Sequence, residues 1–243
     1  MSMNNLRKKK LSGEKITSIT AYDYSFAKVI DEIGFDIILV GDSLGNVILG
    51  YDTTIPVSIN DMEYHTRAVS RGTRHGLLIS DMPFMTYSNR SDALKNSSKL
   101  MQAGAQMVKL EGGEKQFETI KYLTENHIKV MGHLGMLPQS TVGKPKVYGT
   151  KESEKNQIFK DIDLLEKAGV FSVVIECTIK SLVDNLIKHT KLPIIGIGAS
   201  SCCKGQIIVT EDILGMTEFN SKFAKKYFDF FKNSEKSLKK FSD

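Results

Sequence analysis

Eight short runs rich in β-branched residues, spread along the chain, constrain its fold more than any other feature. Seven are clear, at residues 16–20, 36–40, 77–80, 106–110, 128–132, 171–175 and 192–197, and a weaker one lies at 206–209. Several are apolar at consecutive positions. A strand with one wet face would alternate, so these runs read as strands covered on both faces of a parallel sheet. The stretches between them carry helical spacing. Phe26, Val29, Ile30 and Ile33 fall on one helical face, as do Ile158, Ile162, Leu165 and Ala168. Ser58 to Asp61 opens a helix in the manner of a capping box, and Ser91 with Asp92 marks the start of another.

Three of the units share a punctuation. A helix stops at Gly34, Gly104 or Gly169, a strand begins about two residues later, and Asp42, Glu111 or Glu176 closes it. Glycine accepts the left-handed backbone of a helix C-cap, which lets the chain turn tightly into the next strand. Roughly eight β-then-α units predict an α/β fold, a (β/α)8 TIM barrel. A doubly wound open sheet is the alternative, with about five or six strands. No linker or composition break divides the chain, so residues 1–243 read as one domain with charged ends. At 41% hydrophobic and 25% charged, it is neither a disordered chain nor a disulfide scaffold.

The net charge of +5 is concentrated at the ends, in Arg7-Lys8-Lys9-Lys10 and in the lysines from 222 to 240. Solvated appendages explain such runs better than a polyanion site, so no nucleic-acid partner is expected. Cys177, Cys202 and Cys203 match no spaced metal motif and read as reduced thiols. No apolar run approaches the ~20 residues of a membrane span, and the expected location is the cytoplasm.

In such a barrel the active site forms where the strands end. The predicted ends carry Tyr22-Asp23, Asp42-Ser43, Asp81, Lys109 with Glu111, His133 and Glu176. Carboxylates converging on one rim repel one another unless a cation neutralises them. Asp42, Asp81 and Glu111 are hard oxygen donors, which favours Mg²⁺. Lys109 precedes Glu111 by two residues and shares its face of the strand, so it either pairs with Glu111 or meets an anionic substrate. Glu176 closes the apolar run Val173-Val174-Ile175, a placement suited to a general base or to a carboxylate held by a nearby lysine. His133 reads equally as a structural or a site residue. The stretch from Gly196 to Ser200 fails the GxGxxG pattern because position 201 is Ser.

Longer segments carry a resemblance. They are Thr20-Ala-Tyr-Asp-Tyr-Ser-Phe-Ala-Lys28, Leu39-Val-Gly-Asp-Ser-Leu-Gly45, Asp81-Met-Pro-Phe-Met85 and Ala103-Gly-Ala-Gln-Met-Val-Lys-Leu-Glu-Gly-Gly113. Gly132-His-Leu-Gly135, Pro138-Gln-Ser140, Glu176-Cys177, Ile194-Ile-Gly-Ile-Gly198 and Gly205-Gln206 follow in order. Together they resemble the ketopantoate hydroxymethyltransferase family across residues 14–230. That resemblance implies a TIM barrel of the phosphoenolpyruvate/pyruvate type, a homo-oligomer (commonly a decamer) and Mg²⁺ dependence. It also implies hydroxymethyl transfer from 5,10-methylenetetrahydrofolate to 3-methyl-2-oxobutanoate in pantothenate biosynthesis. Asp42 and Asp81 would hold the metal, directly or through water, with Glu111 in the same site. Ser43, Lys109 and His133, together with Asp42 and Asp81, would face the oxo acid, and Glu176 would accept its proton. No folate contacts are assigned.

The chain departs from that pattern in a short loop at residues 141–150, in Ser200 and Lys204, and in a short tail after Lys226. Two other readings compete. A Mg²⁺-dependent lyase or mutase of the isocitrate-lyase/phosphonomutase type would share the metal chemistry, but its Lys-Cys-Gly-His-like loop is absent. A non-catalytic polyanion-binding protein would give no reason for acids to end several strands.

Overall fold

The computed structural model describes residue 9 and residues 12–141, 146–217 and 223–243. The β-branched runs form β1 (Ile16–Thr20), β2 (Ile37–Val40), β3 (Leu77–Asp81), β4 (Met107–Glu111), β5 (Val130–Gly135), β6 (Ser172–Glu176), β7 (Ile194–Ile197) and β8 (Gly205–Ile208). Each pairs in parallel with its neighbours in chain order, and β8 closes on β1. Around them run α1 (Tyr24–Ile33), the short α2 (Leu44–Val47), α3 (Ile59–Gly72), α4 (Arg90–Gln102), α5 (Phe117–Glu125), α6 (Glu152–Lys167), α7 (Lys180–His189) and α8 (Thr210–Leu214). A last helix, α9 (Phe230–Ser242), buries none of its side chains. Among the described residues no helix is long and apolar enough to cross a membrane.

Strand alternation divides the apolar residues into two cores. Ile37, Leu39, Leu77, Ile79, Met107, Met131, Val174 and Ile195 form one cluster, filling the barrel. Ile38, Val40, Leu78, Val108, Leu110, Val173 and Ile175 point the other way and pack with helix residues such as Ala27, Met62, Leu100, Ile120 and Ile162. Both faces of every strand need apolar cover, hence the consecutive apolar positions in the sequence.

The local sequence signals match the structure in part. The Ser58–Asp61 capping box is present in both directions. Gly34, Gly104 and Gly169 take positive φ of 93°, 115° and 81°, and each is followed by a strand three residues later. On α6, Ile158, Ile162 and Leu165 are buried as expected. The start of α4 needs correction: Asn89, not Ser91 or Asp92, is the cap, and its side chain accepts from the Asp92 N–H at 2.9 Å. The face of α1 also differs. Ala27, Ile30 and Asp31 are buried, while Val29 and Ile33 are 54% and 68% exposed. Apolar spacing fits two adjacent faces of this helix, and Asp31 decides between them. Its carboxylate accepts the backbone N–H groups of Arg74, His75 and Gly76 at 3.0, 2.9 and 2.7 Å, which satisfies the turn between α3 and β3.

The seventh crossover is the main departure from eight β-then-α units. Residues 198–204 join β7 to β8 with no helix, although a parallel crossover ordinarily needs a dozen or more residues. The short connector is held by side chains instead. Ser200 Oγ donates to Asp184 Oδ1 at 2.5 Å and accepts from the Cys202 N–H at 3.1 Å, and Gln206 Nε2 donates to the Ser200 carbonyl at 2.8 Å. Cys203 is fully buried against Gly196, where an added Cβ would stand 2.9 Å from its sulfur. Ser200 and Cys203 thus shape this connector, and among the described residues all three cysteines are free. At the N-terminal end Lys9 is no loose appendage, since its Nζ lies 2.8 Å from the buried Asp36 carboxylate. Arg7, Lys8, Lys10 and Lys222 lie outside the described residues.

Burial works against the Asp31 charge, but the three N–H donors win and hold its carboxyl below the usual aspartate range. Its contribution is therefore complete above about pH 4 and is lost as pH falls through the folded-state value. Asp31→Asn should lower stability by about 2 kcal/mol at pH 7. Urea denaturation of both proteins should show the difference shrinking below about pH 4; a pH-independent difference would contradict the assignment.

Candidate active site

The inward phase of the barrel strands continues into polar residues at their C-terminal ends. Two residues after Ile79 comes Asp81; after Met107 come Lys109 and Glu111; after Met131 comes His133; after Val174 comes Glu176. Asp42 and Ser43 follow β2 past Gly41, where an added Cβ would stand 2.8 Å from Ser43 Oγ. The sequence-predicted set is thereby assembled on one rim. Asp42, Asp81, Lys109, Glu111 and His133 are all buried. Asp23 does not belong to it: it is exposed and caps α1, accepting from the Phe26 N–H at 2.9 Å.

Register decides the partners. Asp81 stands directly beside Lys109 on the adjacent strand, and Glu111 beside His133. Laterally paired residues lie about 4.8 Å apart, whereas residues two apart on one strand are separated by about 6.6 Å. Lys109 Nζ accordingly pairs with Asp81 Oδ1 at 2.6 Å, and the pairing with Glu111, one of the two readings of this lysine, is not formed. Among the described residues no lysine holds Glu176; its Oε2 lies 3.1 Å from His133 Nε2, and His133 Nδ1 faces Glu111 Oε1 at 3.6 Å. Neither contact has hydrogen-bond alignment.

The chain reverses sharply after Glu176. Cys177 adopts a positive φ of 44°, unusual for a residue with a side chain, and is pinned by bonds to the Ile197 carbonyl and the Tyr148 N–H. Gly135 at φ 87° passes so close that a Cβ would fall 2.2 Å from the Glu176 carbonyl oxygen. This contact keeps the ends of β5 and β6 together, and with them His133 and Glu176. Ser43 leaves its hydroxyl out of the α2 cap and bonds Tyr22 Oη at 2.8 Å.

The electrostatics are those of a site short of positive charge. Burial, then the neighbouring Asp81, pushes the Asp42 carboxyl up to about 7 against the pull of Lys109. Burial also raises Glu111 well above the ordinary glutamate range. Burial alone would depress Lys109, but Asp81, Asp42 and Glu111 outweigh it and hold the ammonium firmly charged. Burial and the Lys109 charge lower His133, leaving its ring neutral. One ammonium thus faces three acids.

Several observations fit a divalent cation here. Glu111 Oε1 and Asp81 Oδ1 are buried without an aligned hydrogen bond, and the donors are hard oxygens. Among the described residues no three acid, His or Cys side chains converge as a complete metal cage. A magnesium-type site does not need one, because that ion keeps waters and uses one or two carboxylates. The cavities outlined elsewhere, at the opposite face near Lys129 and Lys191 and beside α9, hold none of these residues.

Two buried residues here were given no role in the sequence. Gln139 bonds Asp42, Glu111 and Tyr87; a neutral amide in a loop offered no signal beyond its place in Pro138-Gln-Ser140. Glu211, three residues past β8 in the first turn of α8, is buried, with its carboxyl pushed up to about 7 by desolvation and its Oε2 unbonded. An acid just after a strand was the available signal for it. The loop at residues 141–150 is described only in part, since 142–145 lie outside the described residues.

Comparison with known proteins bears on the fold and the family. Among solved structures the chain is similar to phosphonopyruvate hydrolase in complex with oxalate and Mg²⁺ (TM-score 0.66, 16% identity, 86% of this chain and 81% of that one). It is equally similar to 2,3-dimethylmalate lyase, a PEP mutase/isocitrate lyase superfamily member (TM-score 0.66, 14% identity, 98% and 84%). At these identities the likeness shows the fold alone, that of a TIM barrel. The family model described as ketopantoate hydroxymethyltransferase matches residues 1–243. Relatives named 3-methyl-2-oxobutanoate hydroxymethyltransferase include one from Syntrophus aciditrophicus (strain SB), 45% identical over 97% of this chain and 89% of its own length. Another, from Ignicoccus hospitalis, is 42% identical over 100% and 94%. The chain belongs to the ketopantoate hydroxymethyltransferase family.

A carboxylate whose proton affinity is raised by folding opposes folding once ionised. For Asp42 that penalty is absent near pH 4 and complete above about pH 7. Asp42→Asn keeps an acceptor for Gln139 and removes the charge. It should stabilise the metal-free protein by roughly 1–3 kcal/mol at pH 8, with the gain vanishing toward pH 4. Thermal melts across that range check the sign.

Proposed function

We propose that this chain transfers a hydroxymethyl group from 5,10-methylenetetrahydrofolate to 3-methyl-2-oxobutanoate, giving 2-dehydropantoate and tetrahydrofolate. Its membership of the family makes it a transferase of the pantothenate pathway. The observation that carries the finer reading is the cluster of buried acids around Lys109, facing Glu176 across His133.

Asp42 and Asp81 would hold Mg²⁺, directly or through water, with Glu111 beside them. When bound, the ion supplies Lewis acidity to the 2-oxo carbonyl, which acidifies the C3 hydrogen. Lys109 offsets the substrate carboxylate, and Ser43 Oγ, oriented by Tyr22, fixes its direction. Glu176 takes the C3 proton. It is the least buried acid of the set, and the neutral imidazole of His133 at 3.1 Å limits its swing. One water supplies the hydroxyl oxygen: its two protons go to the two folate nitrogens as both carbon–nitrogen bonds of the one-carbon unit break and tetrahydrofolate leaves. The carbon nucleophile bonds to the released carbon, and the new hydroxyl takes its proton back from Glu176. Burial of the rim keeps water from competing for the deprotonated carbon.

A homo-oligomer, a decamer by family resemblance, and a cytoplasmic location belong to the same proposal. Exposed apolar side chains such as Val29 and Ile33 on α1 and Tyr64 on α3 supply surface for such an assembly. The lyase or mutase alternative has no support beyond the shared fold.

Two measurements test the reaction. Turnover of 3-methyl-2-oxobutanoate to 2-dehydropantoate should require both folate and Mg²⁺, and Asp81→Asn should lower it at least about a hundredfold. Glu176→Gln should still bind the oxo acid yet lose exchange of the C3 hydrogen into D₂O by about 10²–10⁴-fold. Normal exchange in that variant removes Glu176 from the role of base.

A further inference from the structure

Every hydrogen-bonding group of the Gln139 side chain is used. Nε2 donates to Asp42 Oδ2 at 2.7 Å and to the Met82 carbonyl at 3.0 Å, and Oε1 accepts from Tyr87 Oη at 2.6 Å. That pattern also settles which end of the amide carries nitrogen, because two acceptors face Nε2 and a donor faces Oε1. The same residue's backbone N–H donates to Glu111 Oε2 at 3.1 Å. Gln139 is 3% exposed and Tyr87 7%, so no solvent competes for these bonds.

The consequence lies in what the acids have left. Asp42 has Oδ2 engaged and Glu111 has Oε2 engaged, both by Gln139. Asp81 has Oδ2 engaged by the Asp42 N–H at 3.1 Å, while its Oδ1, ion-paired with Lys109 but without an aligned hydrogen bond, stays open to a cation. Glu111 Oε1 is buried and unbonded. A carboxylate with one oxygen held by an N–H is disfavoured from chelating a cation through both oxygens, and offers chiefly the other. Large cations such as Ca²⁺ take six to eight oxygens and commonly use carboxylates bidentately, whereas Mg²⁺ takes single oxygens and keeps waters.

We infer that Gln139 is a positioning residue that limits Asp42 and Glu111 to one free oxygen each and so sets the site's preference for a small divalent cation over a large one. The inference rests on the metal reading of Asp42, Asp81 and Glu111 given above. Tyr87 belongs to the same device, since its hydroxyl stops the amide from turning.

Calorimetric titration of the metal-free full-length chain with MgCl₂ and with CaCl₂ tests it, using wild type, Gln139→Ala and Tyr87→Phe. Wild type should prefer Mg²⁺. Gln139→Ala should weaken Mg²⁺ binding about tenfold or more while Ca²⁺ binding holds or tightens, so that the Mg²⁺:Ca²⁺ preference falls at least tenfold. Tyr87→Phe should move the ratio the same way by a smaller factor. A merely structural role would weaken both ions together, and an unchanged ratio in the folded variants overturns the inference. Should Gln139→Ala fail to fold by circular dichroism, the ratio in Tyr87→Phe decides. Wild type that binds Mg²⁺ without preference overturns the role of Gln139 alone, and wild type that binds neither ion overturns the metal reading with it.

Discussion

Lys109 is an ammonium buried among three buried carboxylates, and the arrangement of the whole rim depends on how that charge is met. At an effective dielectric near 20, a unit pair about 4 Å apart is worth roughly 4 kcal/mol, comparable to the cost of taking one of the charges out of water. The pair with Asp81 therefore does little for the net stability of the barrel. It leaves Asp42 and Glu111 in excess, each disposed to take up a proton or a cation. The apolar layers inside and outside the strands supply the stability that lets such a cluster persist.

Backbone geometry turns that excess into a site. Gly135 allows the ends of β5 and β6 to touch, and the left-handed turn at Cys177 follows at once. Glu176 is thereby separated from Glu111 by the neutral ring of His133. In the proposed reaction, proton transfer and charge neutralisation thus fall to different strands. The tight connector from β7 to β8 extends the same economy, with Ser200 and Cys203 replacing a helix by bonds and packing.

Much of this was legible in the residues. Consecutive apolar positions mark strands covered on both faces, and an acid that ends an apolar run has no packing reason to be there. Asp42, Asp81, Glu111 and Glu176 could be picked out on that ground alone. The face of α1 could not, because the pull on Asp31 comes from a turn some 43 residues away in the chain. Gln139 was equally silent: an uncharged side chain announces itself through its partners, and those lie on β4 and on the loops after β2 and β3.

Periodicity, punctuation and strand-end chemistry by themselves determined a parallel barrel, the rim that carries its chemistry and the acids at that rim. Each is a property of spacing along one strand or one helix. Which charges meet was decided by the tertiary structure. Lys109 faces Asp81 instead of Glu111 because register between separate strands, which no local pattern encodes, brings lateral neighbours closer than residues two apart on one strand.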